Sequence, residues 1–384
     1  MKLTIRRIEF LRMLTYAAQA IPSKNAEMQF LNYLIDVRED GVSVIASNGD
    51  ISTKVDQPIK DDKDNTIIFN CEPGLIQTQA KLFLDCISKM GGEVITLTMV
   101  DSNLLNLADN TTNFNLVTRA GEEYPDVDLN VPENANGFKV KLSELKLLFD
   151  TTSYAVATKG PKDLYYGINI RAENGMLTFL TTDSYRMASF SVPEESQDAS
   201  FVFTCPVKAL DMVTKIDVDK EVTIYFDEKR ALFVCGNITL SSRLLRGDFP
   251  SVERLIPPEF PYSVTVDTAE FLAAADRVKI ISSAEDRNSQ VRLTLNKDTG
   301  VTLSARSTNY GNSNEVLRKV NINFDDDSTI FEISFNIDFA VDAVKALKSD
   351  KVTFIFASST RMFMIKNDDP KNIQIITPIR MSAY

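Results

Sequence analysis

The residues able to do chemistry in this 384-residue chain are few, and the composition narrows them further. There is no histidine, which removes the Ser-His-Asp and Cys-His nucleophile systems, HExxH zinc sites and the usual general base near neutral pH. Asp298-Thr299-Gly300 has the residues of an aspartic-protease triplet. That chemistry shares a proton between two carboxylates, and no second such triplet exists, so the segment reads as a turn between strands and a carboxylate hydrolase lacks its pair. Arg246-Gly247-Asp248 is an adhesion triplet only in an extracellular setting, and Asn237-Ile238-Thr239 a glycosylation acceptor only in a secreted chain. Neither a Walker A loop nor a GxGxxG fingerprint occurs. Cys71, Cys86, Cys205 and Cys235 show no metal or redox spacing and read as buried, reduced thiols of a cytosolic protein. The sequence therefore predicts no catalytic residue, no metal and no cofactor.

What organises the chain is a repeated proline phrase. Glu123-Tyr124-Pro125-Asp126-Val127 closes with Val131-Pro132, and 125 residues later Asp248-Phe249-Pro250-Ser251-Val252 closes with Ile256-Pro257. Each proline fixes φ and cannot continue a sheet ladder, so the phrase reads as a domain-ending linker, and a repeated linker implies a repeated domain. Strand signals recur at Glu93-Val94-Ile95-Thr96-Leu97, Glu221-Val222-Thr223-Ile224-Tyr225 and Lys351-Val352-Thr353-Phe354-Ile355, 128 and 130 residues apart. Upstream of each lies an expected strand-to-helix passage: Phe69-Asn70-Cys71, Phe203-Thr204-Cys205 and Ser334-Phe335-Asn336. Turn glycines leading into strands recur at Gly41, Gly175 and Gly300, and Arg119, Arg243 and Arg380 stand near the close of each copy. The expected organisation is three copies, at 1–133, 134–260 and 261–384.

Within a copy, Phe10, Leu11, Leu14, Ala17 and Ala18 have the spacing of an amphipathic helix, as do Leu75, Leu82, Phe83 and Ile87. Alternating strands are predicted from Phe30 to Val37 and Val42 to Ala46. Each copy thus reads as helix, several strands, helix, several strands, an α+β unit with two helices on one face. No stretch approaches 18 apolar residues and the N-terminus has no signal-peptide pattern, so a soluble, unexported protein with no membrane partner is expected. The densest charge run, Asp325-Asp326-Asp327, reads as a solvated loop.

The net charge of −11 argues against a protein that coats nucleic acid with its whole surface. The six predicted helices, 6–19, 75–90, 142–152, 206–216, 269–281 and 337–348, are different. They hold twelve Lys/Arg against nine Asp/Glu, a net of +3 that leaves −14 for the remainder. The pattern fits either ordinary variation between helices or a face that tolerates phosphates within an acidic body.

Four landmarks then carry a family resemblance. Thr181-Thr182-Asp183-Ser184-Tyr185-Arg186-Met187 resembles the Ala-Thr-Asp-Gly/Ser-His-Arg-Leu signature of the bacterial sliding clamp, the beta subunit of DNA polymerase III. Gly247-Asp248-Phe249-Pro250 through Arg254-Leu255-Ile256-Pro257 is similar to that family's Gly-x-Phe/Tyr-Pro…Arg-x-Ile-Pro segment. Ser334-Phe335-Asn336-Ile337-Asp338-Phe339 resembles its Phe-Asn-x-x-Tyr, and Thr377-Pro378-Ile379-Arg380 its Met-Pro-Met/Val-Arg ending. With the three-copy repeat, the resemblance covers the whole chain.

The resemblance implies the DNA clamp fold: three β-rich domains with two helices each, closed as a head-to-tail homodimer into a six-domain ring around duplex DNA. It implies a non-catalytic processivity factor that tethers polymerases and meets clamp-loader subunits through short apolar peptides. Their pocket would be formed by Tyr165, Thr182, Ser184, Tyr185, Arg186, Met187, Pro250, Arg254, Leu255, Asn336, Phe339 and Met362 with the tail Ile376-Thr377-Pro378-Ile379-Arg380-Met381. Aliphatic and thioether walls with a few orienting polar groups suit that role. Dimer contacts would join Phe114 and Leu116 of an edge strand to Ile280 and Ile281, and Lys24, Lys159 and Lys162 would approach DNA.

The chain departs from the family pattern at the pocket histidine, here Tyr185, and at the penultimate methionine, here Thr377. It also departs at Glu27-Met28-Gln29-Phe30-Leu31 and in the extension Ser382-Ala383-Tyr384. The pocket changes bear on which peptide is preferred. A β-rich interaction scaffold that keeps the fold without encircling DNA stands as the alternative.

Overall fold

Each copy opens with a short strand that runs straight into a helix. In the computed structural model, which describes residues 1–22, 28–131, 133, 135–194, 199–217, 221–251, 256–284 and 289–380, the first copy runs as β1 (Lys2–Arg6), α1 (Arg7–Ala17), β2 (Asn32–Arg38), β3 (Gly41–Ser47), β4 (Ile51–Pro58), β5 (Ile68–Glu72), β6 (Gly74–Gln79), α2 (Ala80–Lys89), β7 (Val94–Asp101), β8 (Leu104–Ala108), β9 (Asn113–Val117) and β10 (Arg119–Ala120). The second has β11 (Asn136–Lys141), α3 (Leu142–Thr152), β12 (Gly167–Glu173), β13 (Met176–Thr182), β14 (Arg186–Pro193), β15 (Phe201–Pro206), α4 (Val207–Thr214), β16 (Glu221–Phe226), β17 (Arg230–Cys235) and β18 (Ile238–Arg243). The third has β19 (Tyr262–Asp267), α5 (Thr268–Ser282), β20 (Gln290–Asn296), β21 (Gly300–Ser307), β22 (Gly311–Leu317), β23 (Val320–Phe324), β24 (Ile330–Asn336), α6 (Ile337–Ala346), β25 (Lys351–Phe356), β26 (Phe363–Lys366) and β27 (Asn372–Ile376).

Three of these strand-to-helix passages are closed by a side-chain cap. Gln79 accepts from the Leu82 N–H, Asp267 from the Glu270 N–H, and Asn336 from the N–H groups of Asp338 and Phe339. Each cap satisfies an otherwise orphaned donor of the first turn, a stabilisation of about 1 kcal/mol.

The strands form four sheets, and the chain divides into two compact units. One holds Met1–Leu142 and Lys208–Leu244, the other Ser143–Val207 and Leu245–Tyr384. Within the first unit lie a five-stranded sheet, β5-β1-β7-β8-β9, and a nine-stranded sheet, β10-β6-β2-β3-β4-β18-β17-β16-β11. Within the second lie β15-β12-β13-β14-β27-β26-β25-β19-β23 and the four-stranded β22-β21-β20-β24. The division cuts the middle copy because its strands belong to sheets shared with its neighbours. β18 pairs with β4 from Ile238↔Val55 to Ser242↔Ile51, and β14 with β27 from Arg186↔Ile376 to Phe190↔Asn372.

The cores lie where helices cover sheets. In the first unit Phe10 and Phe83 meet edge to face at 6.1 Å among buried Leu3, Leu14, Ile87 and Leu97. Tyr33 and Tyr16 are buried there, and their hydroxyls donate to the carbonyls of Leu14 at 2.9 Å and Met212 at 3.1 Å. In the second unit, Phe335, Phe354, Phe356 and Phe363 form a continuous ring cluster, with centroids 5.1 Å apart for Phe335 and Phe363.

Several expectations need correction. The leading strands β1, β11 and β19 are absent from the predicted order, because each is only five or six residues long and merges with the helix after it. Leu75 belongs to β6, not to a helix, which begins at Ala80. Phe69-Asn70-Cys71 lies on β5 and does not enter a helix; β6 does. With β6 in that place the repeat becomes regular: α2, α4 and α6 open at Ala80, Val207 and Ile337, and β7, β16 and β25 at Val94, Glu221 and Lys351, both series 127 and 130 residues apart. Cys71 is half-buried rather than buried, while the other three free thiols are buried.

Candidate functional site

The residues of the Thr181–Met187 segment form a tight β13–β14 hairpin whose tip is Asp183-Ser184-Tyr185. Ser184 sits at φ 81°, the left-handed region that ordinarily favours glycine. The tip is held by its own side chains. Asp183 Oδ1 accepts from the N–H groups of Tyr185 at 2.9 Å and Arg186 at 3.0 Å. Thr182 Oγ1 donates to the Arg186 carbonyl and accepts from the Ser184 N–H. The start of the tail beyond β27 is tied to the same tip: Thr377 donates to the Tyr185 carbonyl from both its N–H and its hydroxyl, each at 2.9 Å.

Beside this tip lies an open cavity of about 230 Å³ lined by Tyr165, Thr182, Ser184, Tyr185, Arg186, Met187, Pro250, Met362, Ile375 and Thr377. Its floor is a small apolar cluster, buried Leu180, Met187 and Ile375, against which Phe249, Ile256, Met362, Met364 and Ile373 pack. Tyr165 closes one side with its ring edge-on to Phe249, centroids 6.1 Å apart. The rim is polar and fixed, the floor soft and apolar, and such a cavity takes an aliphatic or aromatic side chain while orienting the backbone that carries it.

Arg186 is the most constrained polar group there. Its Nε donates to Asp183 Oδ2 at 3.0 Å and its Nη1 to Asp342 Oδ2 at 2.6 Å. Its guanidinium lies 4.5 Å from the Phe339 ring centroid and 5.2 Å from that of Tyr154. Tyr154 is half-buried against the core, desolvation drives its phenol well above the ordinary range, and its hydroxyl donates to Gln374 at 2.6 Å. Arg186 thus presents a charge to the cavity from a position that its partners fix.

The other expected pocket residues are placed differently. Ile376 is fully buried in the main core, and Ile375, one residue earlier, lines the cavity instead, because successive strand side chains face opposite sides of the sheet. Asn336 caps α6 and is not among the lining residues. Phe339 supports Arg186 from beneath. Pro378 and Ile379 are half-buried and Arg380 exposed just past β27, and the Ile379 N–H donates to the Ser334 carbonyl at 2.7 Å. Arg254, Leu255 and Met381 lie outside the described residues, as does Lys24. The sequence reading quoted Asp183 in the signature without placing it in the pocket, and missed Ile375 and Asp342; the β27 alternation carried the signal for Ile375, while nothing local signals Asp342.

Lys159 is exposed; Lys162 is exposed too, with its ammonium 5.0 Å from the Tyr165 ring centroid and 3.2 Å from its hydroxyl, so it borders the cavity. Phe114 is half-buried and Leu116 buried on β9, a free edge of the five-stranded sheet. Ile280 is exposed at the end of α5, whereas Ile281 packs on the core. β22 is a free edge of the four-stranded sheet. Asp298-Thr299-Gly300 is the β20–β21 turn, its Asp298 and Thr299 N–H groups donating to Asn296, and the Asn237 amide donates to the Asp56 carbonyl. Among the described residues no group of three His, Cys, Asp or Glu is arranged to hold a metal, and no helix is long and apolar enough to cross a membrane.

Comparison with known proteins covers the chain from end to end. The N-terminal, central and C-terminal domain profiles of the DNA polymerase III beta subunit match residues 1–128, 139–251 and 253–380. The beta sliding clamps of Streptococcus pneumoniae and Bacillus subtilis are each 28% identical to it, over 382 and 387 residues and at least 98% of both chains. The crystal structure of the Bacillus subtilis DNA polymerase sliding clamp superposes with a TM-score of 0.91 at 27% identity over 100% of both chains. That of the beta subunit from the DNA polymerase of Streptococcus pyogenes gives 0.91 at 26%, over 99% of this chain and 100% of the other. A three-copy repeat, a hairpin-tip cavity and this end-to-end similarity converge on one assignment: the chain belongs to the DNA polymerase III beta subunit family.

Proposed function

We propose that this protein is a cytoplasmic DNA sliding clamp, a non-catalytic ring that encircles duplex DNA and holds polymerases to it. The observation that carries the reading is the cavity at the β13–β14 tip: an apolar floor of Met187, Met362 and Ile375 beneath a rim of hydrogen-bonded polar groups. Polymerase and clamp-loader subunits insert a short apolar peptide there, anchored by side chains on the floor and oriented by the Thr182–Arg186 rim.

The ring forms from two chains joined head to tail, β9 of one copy against β22 of the other. Both are free edges, and each carries the same face pattern, Asn113-Phe114-Asn115-Leu116-Val117 and Asn312-Ser313-Asn314-Glu315-Val316, with Val117 and Val316 exposed. Pairing them satisfies the open backbone groups and removes an aggregation-prone edge from each chain. The three domains per chain are 1–133, 134–260 and 261–384, six in the closed ring. Because attachment is topological, few phosphate contacts are needed, and an acidic body with near-neutral helices permits sliding.

Retention on DNA tests this. The protein is loaded by a clamp loader onto a nicked circle, washed at high salt, and the circle is then cut. Retention on the circle followed by loss on linearisation is expected, since salt defeats phosphate contacts but not topology. Release by salt from both forms, with loading verified, would mean electrostatic binding alone and favour a scaffold that does not encircle DNA.

A further inference from the structure

Two joints between neighbouring copies lie inside the chain, and they share one register. Where β4 meets β18, Lys54 stands opposite Thr239 and Ser52 opposite Ser241. Where β14 meets β27, Ser189 stands opposite Ile373 and Met187 opposite Ile375. Traced strand by strand from the residues that open α2, α4 and α6, Lys54 and Ser189 correspond to Asn314 on β22. Traced from those that open β7, β16 and β25, Thr239 and Ile373 correspond to Asn113 on β9. The positions that meet in one internal joint therefore meet in the other, and β22 and β9, which hold the third pair, are both free edges.

The backbone phase agrees. The Thr118 N–H donates to the Asn103 carbonyl, so by antiparallel alternation Phe114 and Leu116 bond to β8, while Asn113, Asn115 and Val117 turn their backbone groups to the open edge. The Lys297 N–H donates to the Thr329 carbonyl, and the same alternation carried across β20 and β21 leaves Asn312 and Asn314 facing outward on β22. The internal joints bond in this phase, the Arg243 N–H to the Asp50 carbonyl and the Thr377 N–H to that of Tyr185. Val117 and Tyr310, which hold the corresponding places at the open edges, are 75% and 62% exposed.

We propose that β9 and β22 of two chains join antiparallel in this register, Asn113 opposite Asn314 and Asn115 opposite Asn312, and that these amide pairs select a second molecule of this chain as the partner. The inference rests on the head-to-tail reading above and supplies its register. Each internal joint matches one facing pair in kind, Ser52 with Ser241 and Met187 with Ile375, and Asn312 with Asn115 continues the series. The Asn106 amide donates to Oδ1 of Asn113 at 2.6 Å and of Asn115 at 2.9 Å, which leaves their NH2 groups to donate across the joint. The exposed side chains of Asn312 and Asn314 have no hydrogen bond among the described residues and supply the acceptors. A slip of one residue puts the amides on opposite faces, and a slip of two leaves one amide pair of the two.

Double cysteine variants of the full chain test the register. Facing residues of a hydrogen-bonded pair lie about 5.5 Å apart at Cα, within disulfide reach, and diagonal ones about 7–8 Å, beyond it. On mild oxidation Asn113→Cys with Asn314→Cys should link chains at least about tenfold faster than Asn115→Cys with Asn314→Cys, the parent chain with its own cysteines setting the baseline. Faster linkage of the diagonal pair, or none in either while light scattering still shows a dimer, overturns the register and leaves the ring reading standing. A single chain by light scattering overturns both. Asn113→Asp with Asn314→Asp, exposed positions that face Ala108 and Ser304 in their own chain, should weaken the dimer about tenfold, and Asn113→Asp with Asn314→Lys should restore it. A dimer indifferent to the paired aspartates also overturns the proposal.

Discussion

Asp342 on α6 accepts a 2.6 Å hydrogen bond from Arg186 of the β13–β14 tip, residues 156 positions apart in sequence. Through it a helix of the third copy holds the cavity rim contributed by the second, both within one compact unit. Arg186 is 12% exposed and Asp342 43%, so the two ends of the bond differ in what they contribute.

Arg186→Ala should therefore destabilise the protein by about 2 kcal/mol, because it strands the carboxylate of Asp183 and removes the cation stacked on Phe339. Asp342→Asn, at a largely solvated carboxylate, should cost less than about 1 kcal/mol. Both should weaken partner-peptide binding, since both loosen the rim, and Arg186→Lys should recover only part, keeping the charge but losing the fork. Urea unfolding with peptide anisotropy on the same variants separates the effects. Equal peptide affinity in Arg186→Ala and the parent protein would sink the assignment of the cavity.

The β27 parity gives a second contrast. Ile376→Ala removes a fully buried side chain from the core and should cost about 2–5 kcal/mol, with little direct effect on peptide affinity. Met362→Ala acts on a half-buried cavity wall and should leave stability within about 1 kcal/mol while weakening the peptide about tenfold. The reverse pattern would place the pocket elsewhere.

These two residues also mark how far the sequence could be read. The hairpin tip was legible because its signature is local: a threonine, an aspartate and an arginine within five residues, the first two each bonded to the arginine. The three-copy repeat was legible because linker and strand periods agree. Ile376 was misplaced because a motif names a stretch, whereas register decides which member faces the cavity. Asp342 carried no sequence signal, since its role exists only once α6 meets the β14–β27 ladder. The leading strands escaped notice because a strand of five or six residues fused to a helix has too few alternations to register a period of two.

Edge substitutions test the joint between chains. Leu116 is buried against its own sheet, so truncating it confuses folding with assembly, whereas Val117 is 75% exposed and Val316 58%. Val117→Lys with Val316→Lys places like charges on both edges and should shift the protein from twice 43.0 kDa toward a single chain, with unfolding little changed. Light scattering across a concentration series reads the outcome. A dimer as stable as the parent's would mean that these strands do not form the joint.

The turn leading into β9 adds a pH dependence. Asp109 accepts from the N–H groups of Gly92 at 2.8 Å, Thr111 at 2.8 Å and Thr112 at 2.6 Å, and from the Thr111 hydroxyl. These donors favour the carboxylate and hold its pKa down to about 2, from an ordinary value of 3.8. A group depressed in the folded state contributes stability that is complete above its unfolded pKa and is lost as pH falls through the folded one. That contribution should accordingly be full above about pH 4 and disappear toward about pH 2. Asp109→Asn keeps one acceptor oxygen but cannot titrate, so its stability should fall less steeply across that window, and the two curves should converge at the acid end. Denaturant unfolding at stepped pH measures the slopes. Parallel curves from pH 4 to 2 would show that the Asp109 turn does not contribute, leaving the acid response of the β9 edge to other carboxylates.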